Sequence, residues 1–321
     1  MDLNQYKNEF LSYLSKRVIT KQPNNLYEPI DYILKLGGKR IRPILVLLSC
    51  DIFGGESGKA MDAALAIEMF HNFTLIHDDI MDNASLRRGK DTVHKKWDVN
   101  TGILSGDALL ILSYQQFEQY KDKTFLKLYN LFNRTALQIC EGQQYDMDFE
   151  LRNDVTLDAY MKMIRYKTAV LLACALQMGA IIANATENDA EHIYNYGLHL
   201  GTAFQLQDDY LDTFGSKEFG KKVGGDILEN KKTFLFIRSV DLASKEDRKE
   251  LLNLYQNIEP SQNKIDRVIE LFNKYKIKEL LFQEIRTYTE LAFSCVDKLS
   301  LERADKNHLL ELGKNLMNRK I

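Results

Sequence analysis

Hydrophobic and polar positions follow the period of an α-helix along most of the chain. Near the start, apolar residues recur at helical spacing at Phe10, Leu11, Leu14 and Val18. Residues at such spacing lie on one side of a helix, which packs on a core. The sequence contains only 4 prolines, and the last is Pro260. Since proline interrupts helices, its scarcity favours long ones, and the pattern predicts an all-α fold.

Glycine and proline divide this pattern into separate helices. A second helix is predicted from about Pro29, and Gly37 and Gly38 end it. Residues 44–50 are strongly apolar and predict a buried helix. A long helix is predicted over residues 59–81, and helical periodicity continues towards the carboxyl end.

The longest apolar run covers residues 169–183 and includes Gln177 and Gly179. It is shorter than the 18 or more residues typical of a membrane-spanning helix, so it predicts a buried core helix and no stable membrane insertion. The first ten residues lack the apolar segment of a signal peptide. Four cysteines without metal-ligand spacing are typical of a reducing compartment, so we expect a cytoplasmic protein: Cys50, Cys140, Cys174 and Cys295.

Composition narrows the class of protein. Apolar residues make up 45% of the chain and charged residues 27%, as in ordinary globular proteins. The 43 basic residues are balanced by 45 acidic ones, so no net charge attracts nucleic acid. A length of 321 residues would allow two domains. We nevertheless predict a single large helical domain over residues 1–321.

An acidic cluster lies at the end of the predicted helix 59–81. Asp78, Asp79 and Asp82 precede Arg87 and Arg88. Asp78 and Asp82 lie one turn apart on one face of a helix, where their charges repel. Mg²⁺ removes this penalty, because it binds one or two carboxylates together with substrate phosphates. One guanidinium group can donate two parallel hydrogen bonds to phosphate oxygens, so the two arginines suit a diphosphate.

The same spacing occurs a second time. Asp208, Asp209 and Asp212 stand in F-Q-L-Q-D-D-Y-L-D. One such cluster alone could be a solvated acidic turn. Two clusters, with an arginine pair beside one of them, predict a site for metal ions and a diphosphate.

Basic residues before the apolar segment 44–50 have two interpretations. Lys39, Arg40 and Arg42 could be the solvated start of a helix. Positive charge at a helix amino terminus opposes the macrodipole, however, and a diphosphate bound there would satisfy both the charges and the backbone N–H groups. The Gly- and Lys-rich residues 215–232 similarly predict either a mobile solvated loop or a loop that closes over a site.

These motifs together resemble the trans-prenyl diphosphate synthases of the polyprenyl synthetase family, of the short-chain farnesyl and geranylgeranyl type. The resemblance extends roughly over residues 37–232. The similar stretches are G-G-K-R-I-R-P (37–43), the first acidic cluster with R-R-G-K (87–90), Lys167–Thr168, F-Q-L-Q-D-D-Y-L-D (204–212) and G-K-K-V-G-G-D-I-L-E-N-K-K (220–232).

The resemblance implies an isoprenoid-synthase helical bundle in which both acidic clusters face one central cavity, and a homodimer. It implies a Mg²⁺-dependent prenyltransferase that joins isopentenyl diphosphate to an allylic diphosphate and releases pyrophosphate. Three Mg²⁺ ions are expected, held by Asp78, Asp82 and Asp208. These carboxylates and Lys167 are the predicted catalytic residues.

The resemblance also implies which residues bind each diphosphate. For isopentenyl diphosphate they are Lys39, Arg42, His71 and Arg88. For the allylic diphosphate they are Arg87, Lys167, Lys222 and Lys231. Thr168 and Gln205 would stabilise the carbocation, Gln143 and Asp146 would face the pyrophosphate and metal ions, and the basic Arg319 and Lys320 would close over isopentenyl diphosphate. His71 without the resemblance would be a core histidine, Lys167 a snorkelling lysine, and the basic carboxyl terminus a frayed end.

Two other functions remain open at this stage. A terpene cyclase shares the first cluster, but it usually replaces the second with an Asn/Ser/Glu arrangement. An inactive regulatory subunit of a prenyl synthase should have lost one cluster, whereas both are complete here.

Product length is predicted from the helix that precedes Asp78. Phe73 lies about 7.5 Å before Asp78 along the helix axis. In short-chain members of the family, a ring at this position is the floor of the product cavity. A second ring at the next position would shorten the product, but residue 74 is threonine. We therefore expect a product of about 15 to 20 carbons, with 20 favoured.

Overall fold

The computed structural model describes residues 3–17, 21–215, 224–256 and 261–318. In these ranges the helices are α1 (Leu3–Lys16), α2 (Asn24–Lys35), α3 (Ile41–Ile52), α4 (Met61–Met81), α5 (Val93–Lys96), α6 (Val99–Gln115), α7 (Asp122–Glu150), α8 (Leu157–Ile164), α9 (Val170–Ile182), α10 (Glu187–Phe214), α11 (Gly225–Leu228), α12 (Phe234–Leu242), α13 (Lys245–Leu254), α14 (Gln262–Lys274), α15 (Ile277–Asp297) and α16 (Arg303–Met317). Short 3₁₀ turns cover Ser57–Ala60 and Gln116–Gln119, and a π-helical turn covers Arg165–Ala169.

The all-α prediction is confirmed, with one small exception. Strands β1 (Leu86–Arg87) and β2 (Lys90–Asp91) form an antiparallel hairpin directly after α4. The predicted long helix over 59–81 is observed as α4, preceded by the 3₁₀ turn. The predicted start of the second helix near Pro29 was wrong: α2 begins at Asn24, and Pro29 lies inside it.

Contacts between Cα atoms divide the chain into two compact units. Unit 1 comprises Met1–Asn133 and Cys174–Glu191, and unit 2 comprises Arg134–Ala173 and His192–Ile321. The assignment of residues 1–321 to one domain stays a prediction.

The core of unit 1 is built on α3 and α4. Every residue from Pro43 to Cys50 is buried, as the apolar run predicted, and α4 packs mainly against α3 and α6. The second half of α9 approaches α3 closely at Gly179, where an added Cβ would lie 2.6 Å from the Cys50 backbone nitrogen. The Ser49 hydroxyl donates a hydrogen bond to the Leu176 carbonyl at 2.5 Å. This packing fixes α4, whose carboxyl end carries the first acidic cluster.

The core of unit 2 surrounds the second half of α10. Leu206 and Tyr210 of α10 are buried in one cluster with Tyr160 of α8, Leu235 of α12 and Phe272 of α14. Thr156 begins α8 by accepting a hydrogen bond from the Ala159 amide at 3.2 Å. The cluster therefore holds α8 and α10 so that polar residues near their ends can meet.

The apolar stretch Leu157–Ile182 satisfies the length and composition expected of a membrane-spanning helix, and 67% of its most apolar window is buried inside the protein. The predicted core helix over 169–183 is confirmed by this burial, since residues 169–176 are all buried. Such a helix forms part of the protein interior.

Candidate active site

The first acidic cluster lies at the carboxyl end of α4. Asp78 is half-buried, Asp79 is buried and Asp82, which ends the helix, is exposed. The Asp82 amide donates to the Asp78 carbonyl at 2.9 Å, so these residues remain one helical turn apart. The last turn of α4 contains no basic residue. Carboxylates at this end oppose the helix macrodipole, and a bound cation would offset the repulsion.

Asp79 has a role that the sequence did not reveal. Its carboxylate is 1% exposed and pairs with Arg87 of the hairpin, whose Nε donates to Oδ1 at 3.0 Å. Burial raises the pKa of Asp79, and the pairing with Arg87 opposes this rise. Asp79 therefore orients Arg87.

Lys39, Arg42, His71 and Arg88 make up the basic group in unit 1. Arg42 and His71 form its centre. Arg42 Nη1 lies 3.1 Å from His71 Nε2. Burial lowers the pKa of His71 well below its usual value, and the neighbouring Arg42 and Arg88 lower it further. Burial also lowers the pKa of Arg42, to about 10. At neutral pH His71 is therefore neutral, and it accepts a hydrogen bond from the charged Arg42.

Arg88 reaches the same group through the Gly37–Gly38 loop. Its guanidinium donates to the Gly37 carbonyl, and a Cβ at Gly38 would lie 2.8 Å from Arg88 Cζ. Gly38 also has a φ of +120°, which other residues rarely adopt. The loop thus requires glycine. Lys39 follows it with an exposed side chain.

Arg40, by contrast, is structural. It pairs with Glu68 of α4, both side chains are 2% exposed, and it also donates to the Leu34 carbonyl. Asn72 donates to Glu68 Oε1 at 3.1 Å. Sequence reasoning grouped Arg40 with its basic neighbours and missed this pair. The available signal was Glu68, an acid within an otherwise apolar segment of α4.

The second acidic cluster lies at the carboxyl end of α10. Asp208 is half-buried and Asp209 is buried. Asp209 accepts hydrogen bonds from the Tyr160 hydroxyl and from Gln205 Nε2, the latter at 3.2 Å. Burial raises the pKa of Asp209 well above its usual value, and the nearby Asp226 adds to this rise. The last turn of α10 contains no basic residue, as in α4.

Asp212 connects this cluster to α11. Its Oδ2 accepts from the Asp226 amide at 2.8 Å, and its carbonyl accepts from the Gly224 amide at 2.7 Å. Asn230 follows with a positive φ, and its Oδ1 accepts from Lys264 Nζ at 2.6 Å. These bonds hold α11 and the residues that follow it against α10 and α14.

A cavity of about 100 Å³ in unit 2 brings several predicted residues together. Its lining includes Asp146, Lys167, Thr168, Gln205, Asp209, Asp226 and Lys231. Lys167 Nζ donates to Asp146 Oδ2 at 2.5 Å, and the Thr168 hydroxyl donates to Gln205 Oε1 at 3.0 Å. The cavity lining thus includes three cationic side chains, of Lys167, Lys231 and Lys232, together with the neutral side-chain oxygens of Thr168 and Gln205. Such a set can bind an anion and face a developing cation.

Lys231 is a permanently charged member of this cavity. Burial alone would lower its pKa, but the charges of Asp226, Glu229 and Asp146 outweigh burial and raise it. Its Nζ pairs with Glu229 at 3.0 Å. Lys222, Arg319 and Lys320 lie outside the described residues.

The face of α4 before Asp78 is aromatic. Phe73 is 7% exposed, and its ring lies 5.4 Å from that of Phe70 and 4.8 Å from that of His77. Phe70 in turn meets Phe132 at 5.1 Å. Thr74 is half-buried and donates to the His71 carbonyl at 2.8 Å. His77, for which the sequence suggested no role, supports Phe73.

The donor set fits a metal ion that arrives with a phosphate ligand. In the parts of the chain that the structure describes, no three His, Cys, Asp or Glu side chains group closely enough to hold a metal on their own. Mg²⁺ typically takes only one or two carboxylates and completes its shell with phosphate oxygens and waters. The half-buried Asp78 and Asp208 and the exposed Asp82 are suitable oxygen donors of this kind.

Comparison with known proteins agrees with the motifs. The family model described as Polyprenyl synthetase matches residues 23–272. Geranylgeranyl diphosphate synthase of Saccharolobus solfataricus is 38% identical over 299 residues, which cover 91% of this chain and 90% of the relative. Geranylfarnesyl diphosphate synthase of Natronomonas pharaonis is 38% identical over 250 residues, covering 71% and 72%.

A solved crystal structure of a geranylgeranyl pyrophosphate synthase has a TM-score of 0.94 and 48% identity, with 100% of both chains covered. The fold and the family motifs thus define a polyprenyl synthetase. The chain belongs to the polyprenyl synthetase family, and the resemblance noted in its motifs is confirmed.

Proposed function

We propose that the protein is a short-chain prenyltransferase. It joins isopentenyl diphosphate head to tail, with trans geometry, to an allylic diphosphate and releases pyrophosphate. The observation that carries this proposal is the pair of acidic clusters, each at the carboxyl end of a long helix without basic residues in its last turn. Family membership supports the same reaction class.

In this proposal Asp78, Asp82 and Asp208 hold Mg²⁺, three ions in all, around the diphosphate of the allylic substrate. Bound there, Mg²⁺ would supply Lewis-acid stabilisation of the departing diphosphate. The protein side chains prepare this arrangement by presenting carboxylate oxygens that repel each other until cations bind. The activity is therefore expected to require a divalent cation.

The allylic diphosphate is bound by Arg87, Lys167, Lys222 and Lys231. Positive groups that are already in place stabilise the negative charge that develops as the C–O bond breaks. Lys167 is oriented before substrate binds, because Asp146 accepts its hydrogen bond at 2.5 Å. Thr168 and Gln205 present neutral oxygens that stabilise the carbocation without reacting with it, and their mutual hydrogen bond of 3.0 Å supports this arrangement.

Isopentenyl diphosphate is bound by Lys39, Arg42, His71 and Arg88. The neutral His71 accepts a hydrogen bond from Arg42 and so fixes the guanidinium that binds phosphate. The Gly37 carbonyl does the same for Arg88. We assign the final proton to the departing pyrophosphate.

We propose a product of about 15 to 20 carbons, with 20 favoured, and Phe73 as the floor of the product cavity. Relatives at the same identity are named for geranylgeranyl and geranylfarnesyl products, so identity alone does not select the length. The ring contacts of Phe73 with Phe70 and His77 support a rigid floor.

We also propose that the chain folds as one domain, forms a homodimer and acts in the cytoplasm. The homodimer is supported by exposed apolar side chains on one helix, α6, where Ile103, Leu104 and Ile111 are 41%, 60% and 62% exposed. Apolar surface of this kind is common where subunits meet.

The test is to incubate the purified protein with isopentenyl diphosphate and, separately, dimethylallyl, geranyl or farnesyl diphosphate, and to identify the products by mass. Condensation in the presence of Mg²⁺, and its loss with a chelator, is the expected result. Cyclised hydrocarbons from an allylic diphosphate alone would indicate a terpene cyclase. No product from any pair would contradict the proposal.

A further inference from the structure

The segment that carries Lys167 and Thr168 departs from α-helical geometry. Residues Arg165–Ala169 form a single π-helical turn between α8 and α9. Such a turn contains one more residue than an α-helical turn, so it changes the direction in which side chains leave the helix. Isolated π turns are rare and frequently mark functional sites. The packing around this turn is therefore informative.

Two buried glycines contact the backbone of the π turn, one from each neighbouring helix. A Cβ at Gly142 of α7 would lie 2.7 Å from the Tyr166 carbonyl carbon and 2.8 Å from Lys167 Cα. A Cβ at Gly201 of α10 would lie 2.7 Å from Ala169 Cα. These are backbone atoms, so rotation of a side chain cannot relieve the overlap. Only glycine at both positions permits the observed approach.

Each flanking helix makes a second contact with the turn, one helical turn after its glycine. Asp146 follows Gly142 and accepts the Lys167 ammonium at 2.5 Å. Gln205 follows Gly201 and accepts the Thr168 hydroxyl at 3.0 Å. Residues four apart lie on the same face of a helix. On both sides, therefore, a single helix face makes two contacts with the turn. Its glycine packs against the backbone of the turn, and its polar residue accepts a hydrogen bond from a functional side chain of the turn.

We propose that Gly142 and Gly201 are positioning residues that clamp the π turn and thereby set the direction of Lys167 and Thr168. Neither glycine touches substrate in this proposal. Each acts through the backbone of the turn. The inference rests on the proposed function, in which Lys167 binds the allylic diphosphate.

Kinetics of Gly142→Ala and Gly201→Ala test the clamp. A displacement of about 1 Å at a reacting centre can lower the rate about 100-fold. We expect kcat/KM for the allylic diphosphate to fall by about that factor, with KM for isopentenyl diphosphate unchanged. The effect of Gly142→Ala should be largely absent when Lys167→Ala is already present, because both changes remove the same interaction. Gly201→Ala and Thr168→Ala should behave in the same way.

Gly179→Ala is the matched control. Gly179 is a buried helical glycine whose Cβ would also overlap backbone, at the Cys50 nitrogen, but its contact is with α3. Its effect should add to that of Lys167→Ala, because it does not act through the π turn. If Gly142→Ala fails to fold, Gly201→Ala decides. There the companion change Ala169→Gly removes a Cβ that the new methyl would meet at 2.9 Å, and it should restore part of the activity.

Two outcomes would overturn the clamp. One is that Gly142→Ala and Lys167→Ala have additive effects, and the other is that the glycine variants raise both KM values equally. Unchanged allylic kinetics in Lys167→Ala alone would instead contradict the proposed function. The two failures are therefore distinguishable.

Discussion

The two acidic clusters share a sequence spacing but differ in what surrounds them. In the first, the buried Asp79 pairs with a charged residue, Arg87. In the second, the buried Asp209 accepts hydrogen bonds from the neutral Tyr160 and Gln205. The middle aspartate of each cluster is therefore a supporting residue. Asp79 orients a charged side chain, whereas Asp209 is held by two neutral hydrogen-bond donors.

The third aspartates differ more sharply. Asp82 is exposed at the end of α4, whereas the Asp212 carboxylate accepts the Asp226 amide and fixes α11. An identical D-D-x-x-D spacing thus supplies two metal-ligand candidates in one cluster and one in the other. Spacing alone does not assign roles. The role depends on the donors that the fold brings to each carboxylate.

The largest effect is expected at the leading aspartates. Asp78→Ala and Asp208→Ala should each lower kcat by at least about 100-fold, the scale of losing one strong electrostatic contact in a transition state. Turnover at saturating Mg²⁺ measures this. Near wild-type turnover in one variant would restrict the metal site to the other cluster.

Substitutions of the third aspartates, Asp82 and Asp212, should have separable effects on activity and on the free energy of unfolding. Asp82→Ala should lose activity while its free energy of unfolding stays within about 0.5 kcal/mol of wild type, because the residue is exposed. Asp212→Ala should lose about 1 to 2 kcal/mol, because the Asp226 amide loses a charged acceptor.

Urea unfolding combined with activity assays checks this pair of variants. Asp212→Asn is the control, since it keeps an oxygen that can accept the amide. Equal losses of stability at both positions would remove the distinction drawn here.

The helices that precede the two clusters should differ in their effect on product length. Substitutions in α4 should change the length, whereas a substitution in α10 should not. Phe73→Ala should open the floor and lengthen the product, and Thr74→Phe should shorten it. Phe204, which precedes the second cluster, offers the control: Phe204→Ala should leave product length unchanged, because the chain is proposed to grow along α4. Mass analysis of the products measures all three. An unchanged distribution in both α4 variants would move the floor to Phe70.

The smallest effect concerns the pH dependence of the free energy of unfolding. It tests whether His71, in the basic group of unit 1, is held neutral. The pKa of His71 in the folded protein lies below 6.5, so the unfolded chain binds the proton more readily. Its contribution to stability is therefore present above about pH 6.5 and is lost as pH falls, with a slope of at most about 1.4 kcal/mol per pH unit. Urea unfolding between about pH 5.5 and 7 should show a shallower slope for His71→Gln. An unchanged slope would mean that His71 is not held neutral.

Much of the fold followed from local pattern. The α4 boundaries agreed with the prediction because an unbroken apolar face ends at a charged cluster and is preceded by glycines. The start of α2 was misplaced because Pro29 looked like a beginning, although α2 accommodates it inside the helix. The β1–β2 hairpin was not predicted, since strands of two residues carry no periodic signal.

The site was less predictable, because its supporting contacts join residues far apart in sequence. The pairs Arg40–Glu68 and Tyr160–Asp209 involve residues that only the fold brings together. The π turn was also missed, and the glycines that contact its backbone, Gly142 and Gly201, lie on other helices. Lys167 and Thr168 were found by motif, but the way in which they are held was not.

Binding of pyrophosphate in the presence and absence of Mg²⁺, measured by isothermal titration calorimetry, tests the central claim most directly. This readout does not depend on catalysis. The account predicts that Mg²⁺ adds pyrophosphate binding in wild type and in Asp212→Asn, beyond any Mg²⁺-independent binding by the basic residues proposed for isopentenyl diphosphate. Asp78→Ala and Asp208→Ala should each lose most of this Mg²⁺-dependent part. Equal Mg²⁺-dependent binding by all four proteins, or binding that Mg²⁺ does not strengthen, would contradict the assignment of metal ions to the two clusters.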